Sequence, residues 1–338
     1  MHRITLSGTE SVLTCAEEDV ILRAGLRAGM GFSYECNVGA CGMCKFELLD
    51  GEVEVLRHDT PGLSERDRKK GRMLACQCRP KTDCTIKIRQ EAQCVPKSLP
   101  SRQVARLLET VDITHDIREF RFQAERPAAF RAGQYAMLTV PGLGQERAYS
   151  LSNLPNDDGL WCFQIRRVPG GAGTSVLFDQ LKQGDAVMLD GAYGLAHLRE
   201  ETERDVVCIA GGSGLAPMLS IARGWSAAPK SPSRRLDFFY GGREPRDICG
   251  ESLLRTLPEF GDRLQFHAAV SAPGATQTKQ WTGHVGYVHE VMSAVLGEAL
   301  REREFYLAGP PPMVQSTLDM LQTQYGVPPE RIHFDRFF

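Results

Sequence analysis

Apolar and polar positions follow three successive patterns along the chain. In the first ninety residues "HRITLSG" and "SVLTC" alternate with period two across turn residues at Gly8 and Thr9, which predicts two strands. "DVILRAGLRAG" carries its apolar residues at helical spacing and ends at a glycine, which predicts a helix. "KFELLDGEVEVL" reads as strand, turn, strand, and "DCTIKI" as a closing strand. The prolines and polar residues of "EAQCVPKSLPSRQ" mark a linker near 91–101. Beyond it come short strands broken by Gly, Pro and Asp: "QVARLLETVDI", "IREFRFQA", "QYAMLTV", "LWCFQIRRV" and "DAVMLDG". Many short strands of this kind predict an antiparallel barrel reaching to about residue 200. The last third changes again. "DVVCIAGGSGLAPMLSIARGW", "LDFFYGG" and "EFYLAGPPPMVQSTLDML" repeat apolar strand, turn and helix, which predicts a parallel sheet with ligand loops at the C-terminal ends of its strands.

A chain of 338 residues has room for two or three cores. Its formal net charge of -2 gives no sign of a nucleic-acid or acidic-lipid partner. No run of about 18 apolar residues predicts a membrane span. The start, "MHRITLSGTE", lacks the apolar stretch of a secretion signal. Residues 1–60 lean acidic and 61–90 lean basic; that asymmetry suits a docking dipole, with ordinary solvated charge as the simpler reading. Eleven cysteines are an odd number in a chain of this size and do not suit a disulfide scaffold.

The cysteine spacing does change the picture. Cys36, Cys41 and Cys44 in "ECNVGACGMC", with Cys76 in "RMLACQC", make the C-x4-C-x2-C…C pattern of a plant-type [2Fe–2S] site. Gly39, Ala40 and Gly42 let the backbone wrap closely and aim its amides at an anionic cluster. Structural zinc is the rival, but zinc sites usually pair CxxC with CxxC, and one such pair is present. Cys78 lies close enough to Cys76 to be mistaken for the ligand. Cys15, Cys84 and Cys94 read as core or surface thiols, and His58, His197, His284 and His289 show no metal-ligand spacing.

Two further stretches suit phosphates. In "RAYSLSN" Arg147 offers a strand cation. In "VPGGAGTSVLFDQL" Gly170 and Gly171 precede Thr174, which is placed to cap a helix. Helix-start amides beside that arginine would clamp a pyrophosphate. Gly211, Gly212 and Gly214 in "AGGSGLAP" free a strand–helix turn for close phosphate approach, and Pro217 suits an early helical position. In "YGGREPRD" Glu244 and Asp247 oppose a 2′-phosphate on the nucleotide, whereas Arg243 and Arg246 would welcome one.

Together these motifs resemble the NADH-dependent ferredoxin reductase components of bacterial multicomponent oxygenases. The likeness runs over nearly the whole chain and includes "SYECN", "GLAPM", "TGHVGYVHE" and "IHFDRFF", as in toluene monooxygenase systems. It implies a β-grasp, ferredoxin-like α+β [2Fe–2S] domain at 1–92, an antiparallel β-barrel FAD domain at 101–200 and a Rossmann-like α/β NAD domain at 204–338. The cluster ligands would be Cys36, Cys41, Cys44 and Cys76. R-x-Y-S followed by G-G-x-x-[ST] is the flavin signature of the ferredoxin–NADP+ reductase superfamily. It would place Arg147, Gly171 and Thr174 at the flavin phosphates, Tyr149 against the isoalloxazine, Ser150 near N5, and Ile165 and Arg166 along the cofactor. Gly211, Gly212, Gly214 and Pro217 would form the nucleotide turn, with Gly309 and Pro310 near the nicotinamide. "AGPPPM" departs from the family pattern, having Ala308 where cysteine is usual. The terminal Asp335 would assist proton traffic, and Phe337, or Phe338 one residue further on, would cover the flavin. The resemblance favours NADH. It implies hydride transfer to FAD and single electrons through the cluster to a Rieske-type ferredoxin or to the diiron hydroxylase of an aromatic or alkene monooxygenase. A ring-hydroxylating dioxygenase is the alternative destination.

Overall fold

Alternation in the first ninety residues produces a five-stranded sheet. Its strands are β1 (His2–Leu6), β2 (Val12–Cys15), β3 (Lys45–Asp50), β5 (Arg72–Leu74) and β7 (Cys84–Ile88), in the order β2-β1-β7-β3-β5. β1 and β7 run parallel, and the remaining pairs are antiparallel. Helix α1 (Ile21–Arg27) buries Ile21, Leu22, Ala24 and Leu26. The last strand of this fold, over "DCTIKI", sits at the centre of its sheet. Ile86 of β7 is fully buried and pairs with Leu6 on one side and Leu48 on the other. "KFELLDGEVEVL" does give two strands, but they do not pair with each other. β4 (Val53–Val55) joins β6 (Cys78–Pro80) in a separate ribbon, and the short helix α2 (Glu65–Lys69) follows β4. The computed structural model describes residues 1–140, 142, 144, 146–228, 233–272 and 281–338. They divide into two units, Met1–Arg102 with Asp190–Leu195, and Gln103–Leu189 with Ala196–Phe338.

The first unit contains a polar knot that no local pattern announces. Asp19 and Asp190 are both buried and face three arginines. Arg23, itself 2% exposed, approaches Asp190 at 3.6 Å and Asp19 at 3.8 Å. Arg27 pairs with Asp190 at 2.7 Å and also with Asp19. Arg102 reaches Asp19 at 3.3 Å and Asp190 at 3.4 Å. The Tyr193 hydroxyl donates to Asp190 at 2.7 Å, and the Tyr34 hydroxyl accepts from Gly194 N–H at 3.0 Å.

The middle pattern becomes a six-stranded antiparallel sheet. Its strands are β8 (Ser101–Asp112), β9 (Ile117–Ala124), β10 (Tyr135–Thr139), β11 (Glu146–Ser150), β12 (Leu160–Arg166) and β13 (Ala186–Tyr193), ordered β11-β10-β13-β8-β9-β12. Leu151, just past β11, bridges to Phe163 of β12 and brings the two edges together as a barrel. Phe120, Phe122, Trp161 and Phe163 are buried on the paired strands β9 and β12. Helix α3 (Ala172–Asp179) follows β12.

The last third forms a parallel sheet. Its strands are β14 (Val206–Gly211), β15 (Leu236–Gly242), β16 (Leu264–Val270), β17 (His284–Val285), β18 (Glu304–Gly309) and β19 (Ile332–Arg336), in the order β17-β16-β15-β14-β18-β19. Its helices are α4 (Leu215–Ala227), α5 (Glu251–Leu254), α6 (Val288–Leu296) and α7 (Pro311–Thr323). Period two along β14 sends Val206, Cys208 and Ala210 into the apolar cluster shared with α4. Val207 and Ile209 enter the cluster shared with α6 and α7. Strand order reverses between β14 and β18, so the ligand crevice of such a sheet opens at the C-terminal ends of those two strands.

The polar knot generates a prediction. Replacing Asp190 by Ala leaves buried guanidinium groups short of one carboxylate, and should cost roughly 3–5 kcal/mol of stability. The check is the urea midpoint of the first unit, with Asp190→Asn expected to fall between the two. An unchanged midpoint in Asp190→Ala would show that the knot is energetically neutral.

Candidate functional site

Three sites emerge from these frames. The first is the loop after α1. Asn37, Gly39 and Gly42 take positive φ values of 58°, 82° and 73°. A Cβ on Gly42 would strike the Gly62 carbonyl, so only glycine lets the loop close there. The turned backbone aims N–H groups at sulfur. Ala40 and Cys41 N–H donate to Cys36 Sγ at 3.4 and 3.3 Å, and Met43 N–H donates to Cys41 Sγ at 3.4 Å. The thiols stand in two pairs, Cys36 with Cys41 and Cys44 with Cys76. Among the described residues no three ligating side chains gather on one centre. Two thiols per iron is what a binuclear cluster requires. The neighbouring Cys41 thiol, helped by the N–H groups of Val38, Ala40 and Cys41, holds Cys36 down to about 6 against the effect of burial. Cys78 is fully buried on β6 and pushed up to about 12 by burial. Cys15, Cys84 and Cys94 are buried as well.

The second site joins β11 to the start of α3. Arg147 and Tyr149 project from the same face of β11. A Cβ on Gly173 would lie 3.7 Å from Arg147 Cγ and 3.8 Å from the Tyr149 hydroxyl, so both side chains meet the helix at its first turn. The first helical bond there runs from Ser175 N–H to Gly171 C=O, which leaves the N–H groups of Ala172, Gly173 and Thr174 without an intrahelical partner. The expected cap does not form. Gly171 is the N-cap, and Thr174 lies inside the helix. Its hydroxyl accepts from Val168 N–H at 3.1 Å and is within 3.3 Å of the Gly171 carbonyl, closing the loop instead. Burial pushes the Tyr149 phenol up to about 12, which keeps it neutral. Ser150 is buried at the end of β11 opposite Tyr135. Ile165 is 1% exposed, so its side chain is covered by protein.

The third site is the crevice between β14 and β18. A Cβ on Gly214 would overlap the Ala308 carbonyl, and one on Gly211 would come within 2.7 Å of Met313 Sδ. Backbone therefore meets backbone where the two strands end, and Pro310 and α7 follow directly. Pro217 sits in the first turn of α4, as its sequence position predicts. Ala308 is fully buried between Ala210 and Asp335. Asp335 is 7% exposed, and Phe337 N–H donates to the Gly309 carbonyl at 3.0 Å. The Phe337 ring packs on the α4-side core, whereas Phe338 is 63% exposed.

Arg166 also reaches this third site. Its Nη1 would stand 3.4 Å from a Cβ on Gly212, while its Nε pairs with Asp116 at 2.6 Å. Burial opposes ionisation of Asp116, but hydrogen bonds from Arg166 and Thr114 outweigh it and hold the carboxyl below its usual range. Tyr240 donates to the Gly212 carbonyl at 3.0 Å. Sequence reasoning missed Asp116 and Tyr240. Asp116 is fifty positions from the arginine it holds, and nothing local marks either residue.

Three family models match successive stretches of the chain. Residues 4–81 match the 2Fe-2S iron-sulfur cluster binding domain, 104–198 the oxidoreductase FAD-binding domain and 208–319 the oxidoreductase NAD-binding domain. The ferredoxin–NAD(P)+ reductase CarAd of Metapseudomonas resinovorans is 41% identical over 340 aligned residues, covering 100% of both chains. The ferredoxin–NAD+ reductase component of the alkene monooxygenase system of Xanthobacter autotrophicus is 36% identical, covering 96% of this chain and 97% of that one. The solved structure of the ferredoxin reductase in carbazole 1,9a-dioxygenase superposes with a TM-score of 0.91 at 37% identity, covering 100% of this chain and 98% of that one. With the same three domains in the same order, the chain belongs to the family of ferredoxin–NAD(P)+ reductase components of oxygenases.

Proposed function

We propose that the chain draws electrons from NADH and delivers them singly to a Rieske-type ferredoxin, or directly to the hydroxylase, of a soluble diiron aromatic or alkene monooxygenase. The observation that carries this is the presence, in one chain, of a two-by-two thiol site and a nucleotide crevice between β14 and β18. The alkene monooxygenase relative supports the monooxygenase destination. A ring-hydroxylating dioxygenase is a second reading, supported by the relative from the carbazole system. Among the described residues no helix is long and apolar enough to cross a membrane. None of the eleven cysteines is joined in a disulfide, which supports a reducing, cytoplasmic setting.

When bound, NADH supplies hydride, FAD stores two electrons and releases them one at a time, and a [2Fe–2S] cluster carries one. The chain's own groups then have separate tasks. Cys36, Cys41, Cys44 and Cys76 hold the cluster. Arg147 and the open N–H groups beyond Gly171 hold the flavin diphosphate, with Thr174 shaping the loop they belong to. Tyr149 and Ser150 would flank the ring, and Ile165 and Arg166 would line the cofactor from β12, the neighbouring strand. Gly211, Gly212, Gly214, Gly309 and Pro310 line the crevice for the nicotinamide nucleotide, with Pro217 setting the start of α4. Asp335 supplies a carboxylate for proton movement, and Phe337 covers the ring face. At the end of β15 Arg246 is already paired with Glu244 at 2.9 Å, and Asp247 accepts from the N–H groups of Arg243 and Glu244. Those carboxylates disfavour a 2′-phosphate and support NADH.

The direct experiment mixes the purified holoprotein with a Rieske-type ferredoxin and follows NADH-driven reduction. Turnover is expected with NADH and should be far weaker with NADPH. Cys41→Ser should abolish the reduced-cluster EPR signal and electron delivery while NADH still bleaches the flavin. Cys78→Ser should change neither. A normal cluster signal in Cys41→Ser would sink the ligand assignment.

Arg147→Ala removes a charge-assisted phosphate contact worth roughly 1.5–3 kcal/mol. That corresponds to on the order of tenfold to a hundredfold in FAD affinity. The variant should lose flavin during gel filtration, and full occupancy at nanomolar protein would count against the clamp.

Deleting Phe337 and Phe338 together removes only the tip of the chain beyond β19, so the protein should fold. Flavin fluorescence should rise, because a stacked aromatic quenches it. The charge-transfer band seen by stopped-flow after NADH mixing should last longer, because NAD+ leaves more slowly. Unchanged fluorescence and unchanged decay would place the tail away from the ring.

A further inference from the structure

The basic stretch after residue 60, set aside above as solvated charge, has a definite place in the fold: it lies on the cysteine loop. Gly62 N–H donates to the Gly39 carbonyl at 3.1 Å, and a Cβ on Gly39 would touch Thr60 at 3.0 Å and Gln77 at 3.1 Å. Gln77 in turn offers its side-chain amide to the Cys76 carbonyl at 2.9 Å and to Cys76 Sγ at 3.7 Å. Arg68 donates to the carbonyls of His58 and Thr60 at 2.7 and 2.8 Å, which fastens the segment to α2. Between this segment and β5 lies a cleft of about 340 Å3, lined by Arg57, Leu63, Arg68, Arg72 and Gln77 among others. The cleft therefore touches the residue that follows a cluster ligand.

The segment that carries the cleft, and the short helix α2 within it, is one-sided in charge. From Arg57 to Arg72 there are six lysines and arginines against three acids, in a chain whose net charge is -2. One of the three acids, Asp67, is buried and already held by Lys45 at 2.8 Å and Arg72 at 3.2 Å. Arg57, Arg66, Lys69 and Lys70 are all exposed. Among the described residues no carboxylate pairs with any of those four. Beside the rim two apolar side chains face solvent, Met43 of the cysteine loop at 44% exposure and Leu56 at 41%. Exposed apolar side chains next to charged ones are part of the composition of a transient protein interface. Uncompensated charge of one sign raises the encounter rate with a partner of the opposite sign.

We infer that this cleft and its basic rim form the docking surface for the electron-accepting protein, and that the partner presents an acidic patch. The inference rests on the proposed delivery of electrons to a protein acceptor. It adds the place of exit and the sign of the partner's charge.

The test uses the full holoprotein with Lys69→Glu and Lys70→Glu combined, and a Lys69→Gln, Lys70→Gln pair as the neutral control. Two protein acceptors serve as probes, a strongly acidic Rieske-type ferredoxin and the basic protein cytochrome c. At low ionic strength the charge reversal should lower kcat/KM for the acidic ferredoxin about tenfold or more and raise it for cytochrome c. The neutral pair should fall between wild type and reversal. NADH-driven bleaching of the variant's own cluster should be unchanged, which separates docking from internal transfer. Equal kcat/KM for both probes in wild type and reversal, with normal cluster bleaching, would overturn the docking surface. Failure of the function itself would look different, because the wild type would then leave its own cluster oxidised in NADH.

Discussion

Each group this chain is built to hold is an anion, and the fold must present hydrogen-bond donors to it without walling it off. A four-thiolate iron–sulfur cluster and two diphosphates all lose hydration on binding, and a buried anion is tolerated only where donors replace the water. Backbone N–H groups do this at close range where no side chain intervenes. The chain solves the problem in three geometries. In the cysteine loop, turned backbone at Gly39 and Gly42 aims N–H groups at sulfur. At α3, three helix-start N–H groups stay open beside Arg147. At the β14–β18 crevice, two strand ends meet so closely that a single methyl group on Gly214 would overlap a carbonyl. The remaining architecture, two sheets and a barrel, holds these patches of bare backbone in place.

Because the constraint acts on short contiguous stretches, much of it was legible in the sequence. The three cysteines of the loop lie within nine residues, so their spacing carries the chemistry directly. Barrel strands were legible where one face is buried and alternation survives, as in β9, whose buried Phe120, Phe122 and Ala124 alternate with Arg121 and Gln123. Failures came where tertiary context decides. Thr174 has the residue type of a cap, but the chain enters α3 through Gly171 and turns the hydroxyl back toward Val168. The central position of β7 depends on which strands its neighbours choose, and pairing is not written in a strand's own alternation. β17 has two residues and no periodicity to read.

The polar clusters were the least legible features. Asp190 serves Arg23, Arg27 and Arg102 across gaps of 167, 163 and 88 positions. Asp116 serves Arg166 across 50. Each residue, seen alone, has the ordinary appearance of a surface charge in a strand or helix. What distinguishes Asp190 is burial. A carboxylate that is 1% exposed must be matched by cations, and the matching set is assembled only by the fold.

Ala308 shows how one departure from the family pattern is absorbed. The position is sealed, with Ala210 on one neighbouring strand and Asp335 on the other, and its carbonyl lies against Gly214. One residue on, Gly309 accepts the N–H of Phe337. The chain's last residues are thus bonded to the same strand end that closes the nucleotide turn. On the proposed reading this ties two events together physically. On that reading a nicotinamide at Gly309 and the Phe337 ring would both lie beside this one hydrogen bond at the end of β18. Alanine at 308 keeps that strand end small and apolar, so the missing thiol leaves the β14–β18–β19 geometry intact. On the proposed reading, the positioning of the nicotinamide would then fall to the backbone of Gly309 and Pro310 at the end of β18.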